Sequence, residues 1–404
     1  MKVLFINQFF HPDVAATAQL LTDLAEDLTA AGHSVTVVTG RASYDGGQDL
    51  GPTKDLHRGI QICRVGGIPL ERKTVRSRYV SYLVFWVAAT WRCIVLPRHD
   101  VVVPMTTPPL LSCLGVLLKW IKGSRVVCWS MDVYPELGVL LGAIREASAA
   151  TRLLGSLNSW SLRRADMVVA LGSHMATKIV AKGVSVERTR ILPPWEDAKL
   201  VGPIPHKGNP FRVEHGLDDK FVVLYSGNLG AAHEFGTLLD TSEYLATAPE
   251  IVFLVTGNGP RRVWVEEQVR SRGVKNLRFL PYQPRETLRF SLSAGDVHVV
   301  TLRSGFEGLL VPSKFVGALA AGRPILFVGP KMGEIPDAIV SGQCGIVIEP
   351  GEWRLLAEAI LELYRDEALR GRMGRNARAL FEQAYSRGSA TTRFAELLTH
   401  MAQG

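Results

Sequence analysis

Two residues seven positions apart, Glu307 and Lys314, have the chemistry to hold a ligand that carries both hydroxyls and phosphate. They lie in Gly305-Phe306-Glu307-Gly308-Leu309-Leu310-Val311-Pro312-Ser313-Lys314-Phe315, a glycine-bearing loop that leads into an alanine-rich segment ending near Gly322. Pro312-Ser313 is a helix-start signal. Free N–H groups of Ser313, Lys314 and Phe315 at such a start would favour an anion, with the helix dipole behind them. Lys314 adds a full positive charge, and a carboxylate beside that point suits the hydroxyls of a sugar nucleotide. The competing reading is an ordinary strand-to-helix connection with a surface ion pair. A third candidate, Asp132, sits in Ser130-Met131-Asp132-Val133-Tyr134-Pro135-Glu136, just past the strand-like Arg125 to Trp129. There it either orients or deprotonates an acceptor hydroxyl, or caps the following turn.

These residues need a scaffold, and the chain is long enough for one with two cores: 404 residues, 47% apolar. Its five cysteines form no Cys-x-x-Cys pair and are odd in number, which points to reduced thiols, a cytoplasmic location and no structural zinc. Met1 to Ile6 reads as a strand and not as a leader peptide. The net charge of +8 suits phosphorylated ligands or anionic lipid. Nucleic acid is disfavoured, because the basic residues do not interleave with aromatics in one stripe.

The scaffold alternates. Val3 to Ile6 reads as a buried strand, Leu20, Leu21, Leu24 and Leu28 share one helix face, and Ser34 to Thr39 is the next strand. Strand–helix–strand units predict parallel sheets, with ligands at the carboxyl ends of the strands. The first such turn carries Ala15-Ala16-Thr17 and lacks Gly-x-Gly-x-x-Gly, which disfavours a dinucleotide-dependent dehydrogenase. Arg41 to Gly59 is polar and glycine-rich and reads as a loop. A basic run (Arg72, Lys73, Arg76, Arg78) then enters Tyr79 to Leu96, apolar almost all round. Two readings stand for it: a buried core helix, or a helix docked on a membrane interface through about 72–96, with its basic run on anionic lipid. Five prolines between Pro193 and Pro210 mark a domain linker. Beyond it, strands Phe221 to Tyr225, Ile251 to Val255, Asn276 to Leu280, Asp296 to Thr301 and Pro324 to Val328 each end in a glycine-bearing or polar turn. A row of such turns on one edge is a nucleotide-sized site. Three helical patterns between Glu352 and Met401 close the chain.

Taken together, Tyr225-Ser226-Gly227-Asn228-Leu229-Gly230, Gly257-Asn258-Gly259-Pro260, Leu280-Pro281-Tyr282-Gln283-Pro284, Glu307 with Val311-Pro312-Ser313-Lys314, and Met131 to Glu136 resemble the family 4 retaining GT-B glycosyltransferases. The resemblance spans nearly the whole chain and is nearest the branch serving O-antigen, capsule and colanic acid assembly. It implies an α/β chain of two doubly wound Rossmann-like domains facing across a cleft. Residues 1–200 would bind the acceptor and 211–385 the nucleotide sugar, with a terminal helix at about 386–404 packing back on the first domain.

The resemblance also implies roles. Glu307 would contact donor-sugar hydroxyls, with Gly308 and Leu309 approaching the same sugar. Glu334 would meet the ribose or phosphate region, Tyr282 and Gln283 the base, and Gly227, Asn228, Gly230, Gly257 and Ser313 the diphosphate side. Ala16 would line the first loop, and Asp132 lies near where relatives carry a histidine. The chain departs from the family pattern in places: Lys314 replaces the motif's second glutamate, and Asn228 and His233 stand where many relatives have arginine and lysine. Lys314 and Arg303 are then the charges left for the leaving group. No Asp-x-Asp occurs, so no metal is expected, nor any cofactor beyond the nucleotide-diphosphate sugar itself. The implied donor is a UDP-sugar, with a GDP-sugar as alternative. The implied acceptor is a glycan or polyprenyl-diphosphate-linked saccharide at the inner face of the cell membrane, with the protein peripheral there. Two rival functions remain: a non-catalytic nucleotide-sugar-binding partner of a membrane assembly complex, and a sugar-nucleotide epimerase.

Overall fold

The computed structural model describes residues 1–44, 49–66 and 75–403. The chain divides into two compact units, one comprising Met1–Pro193, Gly308–Leu310 and Ala390–Gly404, the other Pro194–Glu307 and Val311–Ser389.

The first unit opens with β1 (Lys2–Ile6), α1 (Ala16–Ala30) and β2 (Ser34–Gly40). Apolar residues fill both faces of these strands, as a parallel sheet covered on two sides requires. A hairpin follows, β3 (Lys54–His57) antiparallel to β4 (Ile60–Val65). The reading of 41–59 as loop is therefore corrected: its carboxyl-terminal part is an edge strand. Charged Lys54 and Asp55 hid it, as charge often does on a strand with one open side. Then come α2 (Val75–Val95), β5 (Val101–Pro104), α3 (Leu111–Lys122), β6 (Arg125–Trp129), α4 (Glu136–Leu140), α5 (Ala149–Arg164), β7 (Met167–Ala170), α6 (Ser173–Ala181) and β8 (Thr189–Ile191). The strand order is β3-β4-β2-β1-β5-β6-β7-β8.

Helix α2 buries one side of 79–96 in the core and exposes the other. Phe85, Ala89 and Cys93, four residues apart, are buried with Leu4, Ile6, Val102 and Leu114. On the other side Leu83, Val87 and Trp91 are 60–70% exposed. No helix among the described residues is long and apolar enough to cross a membrane. Arg72 and Lys73 lie outside the described residues.

The proline-rich stretch read as a linker contains the boundary between the units, at Pro193 and Pro194. Beyond it the chain is tied to the body of the second unit: Arg323 donates to the carbonyl of Ile204 at 2.8 Å, Arg378 to that of Val201 at 3.3 Å, and Ser293 to that of Gly202 at 2.9 Å. These carbonyls belong to residues between the prolines and are satisfied by side chains. The rest is α7 (Pro210–Glu214), β9 (Phe221–Ser226), α8 (Gly236–Tyr244), β10 (Ile251–Thr256), α9 (Arg262–Arg272), β11 (Leu277–Leu280), α10 (Leu288–Ser293), β12 (Val297–Thr301), α11 (Lys314–Ala320), β13 (Ile325–Val328), α12 (Glu334–Gly342), β14 (Gly345–Ile348), α13 (Trp353–Arg365) and α14 (Glu367–Leu380). Its six strands, in the order β11-β10-β9-β12-β13-β14, are all parallel. Last comes α15 (Arg387–Gln403). From Ala390 onward it belongs to the first unit, where the Phe394 ring meets Trp129 edge-on at 4.8 Å.

Candidate active site

Because every strand of the second sheet is parallel, all its carboxyl ends lie on one edge, and that edge carries the site. The turn after β9 and the turn after β10 are pressed together. Gly227 N–H donates to Thr256 O at 2.8 Å, and Leu229 N–H to Asn258 O at 2.8 Å. A Cβ on Gly257 would fall 2.1 Å from Gly227 O, and one on Gly259 would fall 2.4 Å from Asn228 Oδ1. Both glycines also have positive φ. Only glycine permits this approach, which explains the two glycine motifs physically. Tyr282, after β11, donates its hydroxyl to Asn258 O at 3.3 Å, and Gln283 Nε2 folds back onto Pro281 O at 3.0 Å.

Lys314 opens α11, and its stem crosses this glycine floor: a Cβ on Gly227 would lie 3.2 Å from both its Cγ and its Cε. The ammonium sits 2.9 Å from His233 Nε2 and 5.2 Å from the centroid of the Tyr225 ring. Among the described residues no carboxylate forms an ion pair with it. Burial pushes the Lys314 pKa down to about 7. His233 is buried, and its Nδ1 lies 2.6 Å from Thr301 O. A carbonyl only accepts, so Nδ1 carries the proton and Nε2 presents a lone pair to Lys314. Burial, and then the Lys314 charge, hold the His233 pKa down to about 3.

Glu307 lies on the loop after β12, its Cβ beside Gly333, the residue that precedes α12 and Glu334. Oε2 of Glu307 is buried with no hydrogen-bond partner. Arg303 is exposed; its backbone N–H donates to Ala232 O at 2.8 Å and its guanidinium to Ala231 O at 3.2 Å. The helix-start prediction needs one correction: Phe315 N–H is already bonded to Pro312 O at 3.2 Å, leaving those of Ser313 and Lys314. Ser313 makes no capping bond through its side chain.

The structure thus gathers Gly227, Asn228, Gly230, Gly257, Tyr282, Gln283, Arg303, Glu307, Ser313, Lys314 and Glu334 in the second unit. Ala16 opens α1 in the first unit, and Gly308 and Leu309 cluster with that unit too. Asp132 also lies in the first unit, in the loop after β6. It lines a space of about 20 Å³, room for about one water, together with Thr106, Ser112, Ser130, Tyr134 and Asn158. It makes no hydrogen bond among the described residues, and α4 begins beyond Pro135 without a side-chain cap. The capping role is therefore excluded. Burial pushes the Asp132 pKa up to about 7. His233 is the residue the sequence named only as a departure; its proximity to Lys314 is a product of folding.

Two doubly wound parallel units, one with a row of glycine turns at its carboxyl edge, define a GT-B fold. Comparison with known proteins agrees. Residues 16–195 match the glycosyl transferase 4-like domain, and residues 209–380 match the glycosyl transferases group 1. The glycosyltransferase WbjE of Pseudomonas aeruginosa, described as probable, is 30% identical over 298 residues, 74% of this chain and 74% of that one. WcaI of Escherichia coli K12, described as a putative colanic acid biosynthesis glycosyl transferase, is 25% identical over 334 residues, 80% of this chain and 82% of that one. The crystal structure of Anabaena HepE in complex with UDP-glucose superposes with a TM-score of 0.73 at 18% identity, covering 99% of this chain and 100% of that one. The chain belongs to the GT-B family 4 glycosyltransferases, in the branch that holds WbjE and WcaI.

Proposed function

We propose that this glycosyltransferase moves a hexosyl or N-acetylhexosaminyl residue from a nucleoside-diphosphate sugar, a UDP-sugar first, to a lipid-linked saccharide in cell-surface polysaccharide synthesis, with retention of configuration and no metal. The observation that carries the reading is the Lys314 ammonium: partly buried, above a glycine floor, and without a counter-ion among the described residues. A desolvated cation is costly unless an anion completes it, and a donor diphosphate is that anion. The unpartnered Glu307 Oε2 supports the same reading, since a donor-sugar hydroxyl would satisfy it. UDP is favoured because HepE was solved with UDP-glucose.

In this reading the bond between the sugar C1 and the diphosphate oxygen breaks, and its electron pair stays on that oxygen. Lys314 Nζ–H and the Ser313 and Lys314 backbone N–H groups stabilise the charge that develops. The acceptor hydroxyl bonds to C1 on the face the diphosphate leaves, and its proton passes to the departing phosphate oxygen. Asp132 orients the acceptor hydroxyl. Arg303, Tyr282, Gln283 and Glu334 serve the nucleotide end.

The acceptor's lipid calls for a membrane surface, and the first unit offers one. The connections β4–α2–β5, β5–α3–β6 and β6–α5–β7 all move the same way across the sheet, so right-handed crossovers put α2, α3 and α5 on one face. Their outer sides expose Leu83, Val87 and Trp91, then Trp120 and Ile121, then Leu153 and Leu157. Exposed Arg98, Arg163 and Arg164 border them. Apolar side chains with a basic border suit the interface of an anionic bilayer. In this reading the protein works as a peripheral protein on the cytoplasmic side of the membrane.

Thermal stabilisation by UDP, GDP and their sugar forms tests the donor site, since a ligand of the folded state raises the melting temperature. UDP is expected to raise it in the wild type and not in Lys314→Ala. Product NMR then reads the anomeric configuration, and an inverted product removes the retaining mechanism. Binding without turnover on any lipid-linked acceptor would favour the non-catalytic role.

A further inference from the structure

Lys314 has three N–H bonds to place. One points at His233 Nε2, 2.9 Å away, and the Tyr225 ring lies under the charge at 5.2 Å. Both partners are themselves held. The His233 Nδ1–H donates to Thr301 O at 2.6 Å, on the last residue of β12. The Tyr225 hydroxyl donates to Asn228 O at 2.9 Å, so the ring is anchored to the glycine turn. His233 also meets the Tyr225 and Phe235 rings edge-on, at 6.1 and 6.5 Å between centroids. A lysine side chain of four methylenes has many rotamers, and this one is confined by a fixed acceptor, a fixed ring and the Gly227 backbone beneath its stem.

We propose that His233 is a positioning residue for Lys314: with Nδ1–H fixed on Thr301 O, its Nε2 lone pair holds the ammonium over the glycine floor, so that the remaining N–H bonds of Lys314 face the donor's diphosphate. The proposal rests on the donor-site reading above. It explains why a buried histidine sits beside a cation at all. A histidine free to take a proton would repel Lys314, whereas one whose only proton is committed to a carbonyl attracts it. The arrangement gives the single cation a direction without placing a carboxylate beside it. A carboxylate there would compete with the phosphate for the same N–H bonds.

The test uses the full chain, with UDP and GDP titrated by calorimetry. His233→Phe keeps a ring and removes the acceptor, and UDP is expected to bind about 10-fold more weakly, the scale of one lost charge-assisted hydrogen bond. His233→Gln, whose side-chain oxygen accepts near the Nε2 position, is expected to recover most of that affinity. The double-mutant cycle separates positioning from fold: in a Lys314→Met background, His233→Phe is expected to change UDP affinity less than twofold, because the two act as one unit. If His233→Phe does not fold, His233→Leu, which also removes the acceptor, and its cycle with Lys314→Met carry the same test. Wild-type affinity in a folded His233→Phe protein overturns the inference alone. So does a full 10-fold loss that persists in the Lys314→Met background. Failure of the wild type to bind either nucleotide overturns the donor-site reading and this inference with it.

Discussion

The two units share a doubly wound architecture, and each desolvates one charge that has no ion pair among the described residues, of opposite sign in the two. In the second, a cation is desolvated at the carboxyl edge: Lys314, lowered to about 7. In the first, an anion is desolvated: Asp132, raised to about 7. The surroundings differ in kind. Lys314 is gripped by a directed acceptor and laid over two interlocked glycine turns. Asp132 has no hydrogen-bond partner among the described residues and lines a space of about 20 Å³. One charge is aimed and waits for an anion; the other is raised by its surroundings to about 7, where it can accept or give a proton. Groups pushed apart from their ordinary values in this way mark chemistry more often than packing.

The comparison breaks first at Lys314. Lys314→Met keeps much of the stem over Gly227 and removes the charge. Turnover is expected to fall about 10²–10³-fold, the usual effect of deleting one group that stabilises a leaving oxyanion, and the UDP-dependent rise in melting temperature is expected to shrink. The same residue sets a pH dependence. Its pKa drops from 10.5 toward about 7, so between those values the unfolded chain holds a proton the folded protein lacks. Stability attributable to this group therefore rises with pH across that window. Phosphate binding runs the other way, because the neutral amine must regain a proton. UDP affinity should weaken as pH rises above about 7, by up to one proton's slope, and flatten in Lys314→Met. A UDP affinity that is constant from pH 7 to 9 in the wild type would contradict a desolvated Lys314.

Glu307 sharpens the contrast inside the second unit, where under the proposed function one end of the site reads phosphate and the other sugar. Glu307→Gln preserves shape and removes the charge facing the donor hydroxyls. Since a hydrogen bond to a charged group contributes about 1.5–3 kcal/mol, kcat/KM should fall about 10- to 100-fold while UDP affinity stays within a factor of two. An equal loss for UDP and the UDP-sugar would mean that Glu307 supports the loop and does not read the sugar.

Much of this was legible in the chain because its causes are local. Parallel alternation, the glycines at 227, 257 and 259, and the Glu307–Lys314 spacing depend on residues within a few positions of each other. What was not legible depends on distant partners. His233 is assigned by Thr301, 68 residues on, and Lys314, 81 residues on. The prolines from 193 to 210 mark the boundary between the units but do not show that Arg323 and Arg378 hold the carbonyls of Ile204 and Val201 within that stretch. The hairpin at β3 and β4 was masked by charges that an open edge tolerates. Helix α2 resisted a single assignment because both of its sides are apolar, one for the core and one exposed.

Asp132 gives the smallest effect and the most direct test of the opposite-charge pattern. Its carboxyl is raised from 3.8 to about 7, so between those values the folded protein holds a proton that the unfolded chain has lost. The contribution of this group to stability is therefore fully present below about 3.8 and declines as pH rises toward 7. Asp132→Asn has the same shape and nothing to ionise, so it should match the wild type near pH 4 and melt higher at pH 7.5, by a few degrees for ~1–2 kcal/mol in a chain of this size. Melting curves of the two proteins from pH 4 to 8 measure this directly. Parallel curves would mean that Asp132 is ionised and solvated throughout, and the first unit would then hold an ordinary surface carboxylate. Diverging curves with unchanged turnover would keep the buried acid and remove its role toward the acceptor. Diverging curves with turnover lowered about 10-fold or more would place the same proton in both stability and transfer, which a carboxyl orienting an acceptor hydroxyl requires.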